Sequence, residues 1–163
     1  MIRDATNADL AAIVKIYNAS IPQRLATADT KPVSVASRQS WFENHHPATY
    51  PLIVMELKGE IVAWLSFRPF YGRPAYKTTA EISIYVTPEY HRQGIGQQLL
   101  EQAIDRSQEL GFNTLVAFIF AHNEASLKLF EKLNFREWGY LPRIAELDGI
   151  ERDLTILGRR VQF

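Results

Sequence analysis

The chain has 163 residues and carries 18 basic and 18 acidic side chains, so its formal net charge is zero. This length fits one domain, residues 1–163, and a zero net charge argues against nucleic acid or an anionic membrane as the main partner. Cysteine is absent, which excludes disulfides, thiolate nucleophiles and cysteine-ligated metals. The four histidines form no His-Glu-x-x-His pattern, so we expect no metal site.

Neither a leader nor a membrane anchor is expected. The first residues, Met1 to Thr6, lack an apolar signal core. No window reaches the ~18 apolar residues that a membrane span needs. The expected location is the cytoplasm.

In the first half of the chain, hydrophobic periodicity predicts two helices and a hairpin. Leu10, Ile13, Val14 and Tyr17 recur at helical spacing, with Thr6 or Asn7 as cap. The predicted elements are a helix at 9–18, a polar loop at 20–35, a short helix at 37–44, and strands at 51–57 and 61–67 joined by the turn Lys58-Gly59-Glu60.

The second half alternates strands with helices and ends in a hairpin. Polar and apolar residues alternate from Thr79 to Val86, and Thr87-Pro88 ends that strand because proline cannot donate to a ladder. The elements that follow are a helix at 94–110, a strand at 115–120, a helix at 124–133, and strands at 136–145 and 150–161 around Asp148-Gly149. Antiparallel hairpins mixed with helical crossovers predict an α+β or mixed α/β fold.

The most informative motif runs from Tyr85 to Gly96 and joins a strand to a helix. Gly94 and Gly96 let backbone N–H groups converge, and the first turn of the helix adds unpaired N–H groups and a positive dipole end. Such a site suits a diphosphate, with Arg92 adding charge at the rim. The alternative is that the two glycines serve only a tight turn or close helix packing.

This motif resembles the signature of the GNAT superfamily of N-acetyltransferases, with His91 at the usual glutamine or arginine position of His91-Arg-Gln-Gly-Ile-Gly96. The resemblance implies a central, mostly antiparallel mixed sheet flanked by helices, with acetyl-CoA as co-substrate. It implies that the main-chain amides of Arg92, Gln93, Gly94, Ile95, Gly96 and Gln97 hold the coenzyme A diphosphate. It further implies that Ile84, Tyr85 and Val86 pair with the pantetheine arm.

A second stretch, Asn123 to Phe135, is similar to the superfamily pattern Asn-x-x-Ser-x-x-Leu-Tyr-Glu-Lys-x-Gly-Phe. The resemblance implies that Asn123 hydrogen-bonds the pantetheine; the alternative is a helix cap. Phe130 stands where the family often has a tyrosine that protonates the departing thiolate. This substitution leaves Tyr140 or water as candidate proton donors.

Within the superfamily the chain resembles phosphinothricin and methionine sulfoximine acetyltransferases, above all from Arg73 to Val86. The resemblance implies a small amino-acid-like acceptor, a homodimer, and a 20–35 loop near the active site. The C-terminal Gly149-Ile-Glu-Arg-Asp153 departs from the family pattern because it lacks the tryptophan.

The predicted chemistry is direct acetyl transfer in a ternary complex, with Glu81 as general base. Arg73 and Tyr76 are expected to orient the acceptor, since a guanidinium binds carboxylates and phosphinates through two hydrogen bonds. A backbone N–H near Ile84 or Tyr85, freed by a strand bulge, is expected to stabilise the oxyanion. Glu81 has an alternative role as salt-bridge partner of Arg73.

Two rival functions stay open at this point. One is acetylation of a protein or peptide amine, which calls for an open groove. The other is a coenzyme A-binding sensor without catalysis, a reading that Phe130 favours.

Overall fold

Seven strands and four helices make up the fold in the computed structural model, which describes residues 1–162. The strands are β1 (Ile2–Asp4), β2 (Leu52–Leu57), β3 (Glu60–Pro69), β4 (Thr79–Val86), β5 (Thr114–Phe120), β6 (Arg136–Leu147) and β7 (Ile150–Arg160). The helices are α1 (Leu10–Ser20), α2 (Gln39–Glu43), α3 (Ile95–Glu109) and α4 (Glu124–Lys132). The strands form one sheet in the order β1-β2-β3-β4-β5-β7-β6, in which only β4 and β5 run parallel. The predicted α+β fold with a mostly antiparallel mixed sheet is confirmed.

Alternation along the strands divides the sheet into two faces. One face packs against α3 and α4 and contains the larger core, in which Leu65, Ile82 and Leu99 are almost fully buried. On the other face, α1 covers Val54 and Trp64 through Ile13 and Ile16. Side chains of Glu81, Ser83 and Tyr85 share this second face, so β4 presents its polar residues beneath α1 and not toward the main core.

The sheet opens between β4 and β5. Their parallel pairing covers only Thr79–Glu81 opposite Thr114–Val116, whereas β3 pairs with β4 without interruption from Ala80 to Val86. The expected bulge near Ile84 and Tyr85 is therefore wrong. Main-chain groups become available there because the two parallel strands diverge, and not because the register shifts.

Both predicted hairpin turns are confirmed. Lys58 and Gly59, like Asp148 and Gly149, have positive φ angles, as a two-residue turn between twisted strands requires. β1, a three-residue strand that pairs with β2, was not predicted because so short a segment carries no periodicity. In residues 1–162 no helix is long and apolar enough to cross a membrane, and the cytoplasmic location stays a prediction.

Candidate active site

The loop before α3 turns twice through the left-handed region of backbone conformation. Arg92 has φ 62° and Gly94, the N-cap of α3, has φ 79°. An added Cβ at Gly94 meets no atom of residues 1–162 within 4 Å, so backbone conformation, and not space, explains the glycine. At Gly96 an added Cβ lies 3.1 Å from Leu129, which supports the close-packing alternative for that residue. Both glycines lie at the helix end where N–H groups lack intrahelical partners.

Main-chain groups of β4 face the opening in the sheet. The Thr87 N–H donates to the Val62 carbonyl at 2.8 Å, and alternate residues of a strand point their groups to opposite sides. Ile84 and Val86 therefore direct their N–H and C=O groups away from β3, toward β5. The Val86 carbonyl accepts a hydrogen bond from Nε2 of His91 at 2.8 Å, so the unusual histidine of the motif connects the loop to the strand.

A cavity of about 1340 Å³ joins this opening to the face beneath α1. Near the start of α3 its lining includes the basic side chains of His91, Arg92, Lys128 and Lys132. Lys128 and Lys132 are one turn apart on α4, hence on one helix face. Helix N–H groups combined with the cations of Arg92, Lys128 and Lys132 suit the phosphates of a nucleotide coenzyme.

Glu81 is the carboxylate that β4 contributes to the cavity lining. It lies directly opposite Arg68 in the β3–β4 pair, and Nη2 of Arg68 donates to Glu81 Oε2 at 2.6 Å. The Glu81 side chain is 16% exposed and that of Arg68 is 49% exposed. Glu81 therefore forms a salt bridge, as the alternative role predicted, but with Arg68 and not with Arg73. The register between β3 and β4 decides this partner, because it places Arg68 opposite Glu81.

An aromatic wall lines the cavity on the same face of the sheet as Glu81, further along β3 and β4. Trp64 stacks on Tyr85 with ring centroids 4.6 Å apart, and Trp41 meets Trp64 edge-on at 5.4 Å. Burial raises the pKa of Tyr85 well above its ordinary value, and its hydroxyl donates to the Ala26 carbonyl at 3.2 Å. Tyr85 therefore stays neutral and acts as a wall of the cavity.

His45 and Ser66 form a polar pair behind this wall that sequence reasoning missed. Nδ1 of His45 lies 2.8 Å from the Trp41 carbonyl, and Nε2 lies 2.9 Å from Ser66 Oγ. A carbonyl only accepts, so Nδ1 carries the proton and Nε2 accepts from Ser66. Burial lowers the pKa of His45. The signal in the sequence was a histidine one helical turn after Trp41, which is too common a pattern to indicate a role.

Residues 24–29, which we call the strap, cross one side of the cavity. Nε2 of His122 donates to the Arg24 carbonyl at 2.8 Å, and Nδ2 of Asn123 donates to the Leu25 carbonyl at 3.3 Å. At the other end, Asp29 accepts from the Tyr17 hydroxyl. The predicted proximity of the 20–35 loop to the site is thus supported by cavity-lining residues within it.

Asn123 is a helix cap in this structure. Its Oδ1 accepts from the Ser126 N–H at 3.3 Å, and the residue is 8% exposed. It also lines the cavity, so its predicted contact with pantetheine stays a prediction.

The cavity brings together most of the predicted site residues. Those that line it are Glu81, Ile84, Tyr85, Val86, Arg92, Gly94, Ile95, Gly96, Gln97 and Asn123. Gln93 donates to the Glu89 carbonyl at 3.2 Å and belongs to the turn. Arg73 and Tyr76 lie on an exposed segment outside the lining of the single chain, and their role in binding the acceptor stays a prediction.

Neither Phe130 nor Tyr140 is an obvious proton donor for the departing thiolate. Phe130 is buried against Phe135, as expected of a core residue. Tyr140 is 45% exposed and its hydroxyl donates to Asp153. That hydrogen bond raises the pKa of Tyr140, and Tyr140 lies outside the cavity lining.

Comparisons with known proteins agree with this arrangement. Residues 12–135 match the acetyltransferase (GNAT) family model. YwnH of Bacillus subtilis is 48% identical over 160 residues, covering 98% of each chain. The L-methionine sulfoximine/L-methionine sulfone acetyltransferase of Pseudomonas aeruginosa is 36% identical, covering 96% of this chain and 91% of its own.

A solved structure of a GNAT superfamily phosphinothricin acetyltransferase from Sinorhizobium meliloti, in complex with acetyl-CoA, superposes with a TM-score of 0.94. It is 30% identical and the match covers 99% of this chain and 88% of that one. A split sheet, a glycine turn at a helix start and relatives of this identity lead to one conclusion. The chain belongs to the GNAT acetyltransferase family.

Proposed function

We propose that this acetyltransferase uses acetyl-CoA to acetylate the amine of a small amino-acid-like molecule of the phosphinothricin or methionine sulfoximine and sulfone type. The observation that carries the proposal is the single cavity that joins the basic glycine turn to Glu81. The names of the P. aeruginosa and S. meliloti proteins supply the acceptor class.

Main-chain groups of two segments bind acetyl-CoA. Amides of Arg92 to Gln97 hold the diphosphate, aided by the positive end of α3. Ile84 and Val86 point main-chain groups into the split, where they pair with the pantetheine arm as a missing strand of the sheet would.

Transfer proceeds directly from thioester to amine while both substrates are bound. Glu81 accepts the amine proton, directly or through one water. The nitrogen bonds to the thioester carbonyl carbon, and the Ile84 N–H stabilises the negative charge on the carbonyl oxygen. The carbon–sulfur bond then breaks, and the thiolate takes its proton from water, since Phe130 offers none.

Specific observations weigh on the two rivals. Trp41, Trp64 and Tyr85 form a wall, and the strap closes a side of the cavity, which favours a small acceptor over a protein substrate. A catalytically inactive sensor does not require a carboxylate beside the split, yet Glu81 lies there with most of its side chain buried.

A thiol-release assay with acetyl-CoA separates these functions. The acceptor panel contains L-methionine sulfoximine, L-methionine sulfone, phosphinothricin, common amino acids and lysine-containing peptides. We expect turnover with the amino-acid-like acceptors and little with peptides. Faster turnover of peptides overturns the acceptor class. Coenzyme A binding in calorimetry without turnover of any amine overturns the enzymatic proposal.

We also propose that the protein is a homodimer. Large apolar side chains are exposed on the outer hairpin and on the 70–76 segment, including Tyr71, Trp138, Ile144 and Ile150. In the 70–76 segment, Phe70, Tyr71 and Tyr76 pack on one another, and a contiguous exposed apolar patch indicates protein–protein contact. Sedimentation equilibrium tests this directly: a single species at about twice 18.7 kDa is expected, and a monomer at micromolar concentration contradicts it.

A further inference from the structure

The polar residues next to Glu81 indicate how an acceptor is oriented. Ser66 and Ser83 lie opposite each other on β3 and β4, and the pair Arg68–Glu81 lies two residues further along the same face. Trp64 and Tyr85 continue that face on the other side. A short polar stretch therefore borders the aromatic wall, and such groups fix the orientation of a ligand in a mostly apolar pocket.

Among residues 1–162, three arginines line the cavity, and their positions give them different uses. Arg92 lies at the turn before α3. Arg38 is bonded to Asp29 at 3.1 Å and covers the ring of Tyr17 at 4.9 Å. Tyr17 in turn packs on Tyr85, four residues from Glu81 on the strand, or roughly 13 Å at the usual rise. That leaves Arg68 beside Glu81.

We infer that Arg68 is the residue that binds the α-carboxylate of the acceptor, and that the acceptor is therefore an α-amino acid and not a simple amine. This inference rests on the proposed function. A guanidinium has five N–H donors, and within residues 1–162 the structure engages one donor group of Arg68, Nη2, with Glu81. Nε, Nη1 and the second N–H of Nη2 have no partner among residues 1–162 and can bind a second carboxylate in the two-bond geometry that arginine favours.

The spacing of the two groups matches the chemistry of an α-amino acid. Its amine and carboxylate are attached to the same carbon, so both must be recognised within one small region. Arg68 Nη2 and Glu81 Oε2 are 2.6 Å apart, which places a carboxylate binder next to a proton acceptor. The cation also lies between two negative groups, Glu81 and the bound carboxylate, and offsets their repulsion.

Arg68 is well suited to this role for a further reason. Its side chain is half exposed, whereas that of Glu81 is mostly buried. The guanidinium is therefore accessible from the cavity that Arg68 lines. Arg73, the candidate from the sequence, lies on the exposed 3-10 segment beyond β3.

The test compares two acceptors that differ only in the carboxylate, L-methionine sulfone and 3-(methylsulfonyl)propylamine. For the wild-type enzyme we expect kcat/KM to be at least tenfold higher for the amino acid. Arg68→Met should reduce that preference by about 10- to 100-fold, the usual effect of losing hydrogen bonds to a charged group. Arg68→Lys keeps the positive charge but loses the paired N–H donors of the guanidinium. Its preference for the amino acid should lie between those of the wild type and Arg68→Met. Arg38→Met is the matched control, because Arg38 also lines the cavity and pairs with a carboxylate, and it should keep the preference. Arg73→Met tests the rival assignment of the carboxylate.

Each other outcome overturns the inference. Equal losses for both acceptors in Arg68→Met mean that Arg68 only positions Glu81. Loss of preference in Arg73→Met alone assigns the carboxylate to Arg73. A wild-type enzyme that acetylates both acceptors equally disproves carboxylate recognition while the proposed function stands. A wild-type enzyme that acetylates neither contradicts both. Coenzyme A affinity and Tm of each variant, which we expect unchanged, show that the fold is intact.

Discussion

The two ends of the cavity are built in different ways. At the split between β4 and β5, the groups available to a ligand belong mainly to the backbone: N–H groups at the start of α3 and the edge of β4. Beneath α1, they belong mainly to side chains that approach from β3 and β4. A backbone site depends on local conformation and tolerates changes of side chain. A side-chain site depends on register and changes with single residues, so one fold can keep its coenzyme and exchange its acceptor.

The largest effect is expected from a substitution beneath α1, at the end of the cavity that is built from side chains. Glu81→Gln removes the proton acceptor and keeps the shape, so kcat should fall by about 100-fold or more, with coenzyme A affinity unchanged. Asp29→Asn is the matched control, because Asp29 is also a carboxylate of the cavity lining and has no assigned role in proton transfer. Steady-state kinetics with calorimetry measures both. An equal loss in Asp29→Asn would show that Glu81 has no special role.

The backbone end should respond to a change of conformation. Gly94→Ala places a Cβ at φ 79°, which costs about 1–2 kcal/mol. We expect the turn to shift and Kd for coenzyme A to rise roughly tenfold, with little change in KM for the acceptor. Gly59→Ala is the control, since Gly59 has φ 80°, has nothing described within 4 Å of an added Cβ and lies in the β2–β3 turn. It should lower Tm and leave coenzyme affinity alone. Equal affinities in the two variants would contradict a backbone site at Gly94.

The smallest effect is expected in the pH dependence of the free energy of unfolding, and it depends on the pair of His45 and Ser66. Burial holds the pKa of His45 below its ordinary value of 6.5, so below pH 6.5 the unfolded chain binds more protons than the folded protein. The free energy of unfolding should therefore fall as pH drops from 6.5 through the folded pKa, by up to about 1.4 kcal/mol per pH unit. His45→Gln should flatten this slope in denaturant titrations between pH 7.5 and 5.5. Parallel slopes in wild type and His45→Gln would refute the assignment.

The same contrast explains what could be predicted from the sequence. The turn at Gly94, the helix that follows and both hairpin turns are encoded locally, by glycines and periodicity within a few residues. The partner of Glu81 could not be predicted, because nine residues of irregular chain between β3 and β4 conceal the register that places Arg68 opposite it. The opening of the sheet was expected as a bulge, since divergence of β4 and β5 depends on packing across the whole fold. His45 and Ser66 meet only through tertiary structure.

The strap also limits the order in which the chain can assume its final structure. Arg24 bonds to Asp148 across 124 positions, and its carbonyl bonds to His122 across 98. During synthesis the early segment emerges long before those partners, since domains complete as their later residues become available. The strap is thus completed late in synthesis. A truncation that removes the final hairpin would delete the Asp148 contact of Arg24 and leave the bond from His122 to the Arg24 carbonyl as the anchor of the strap at that residue.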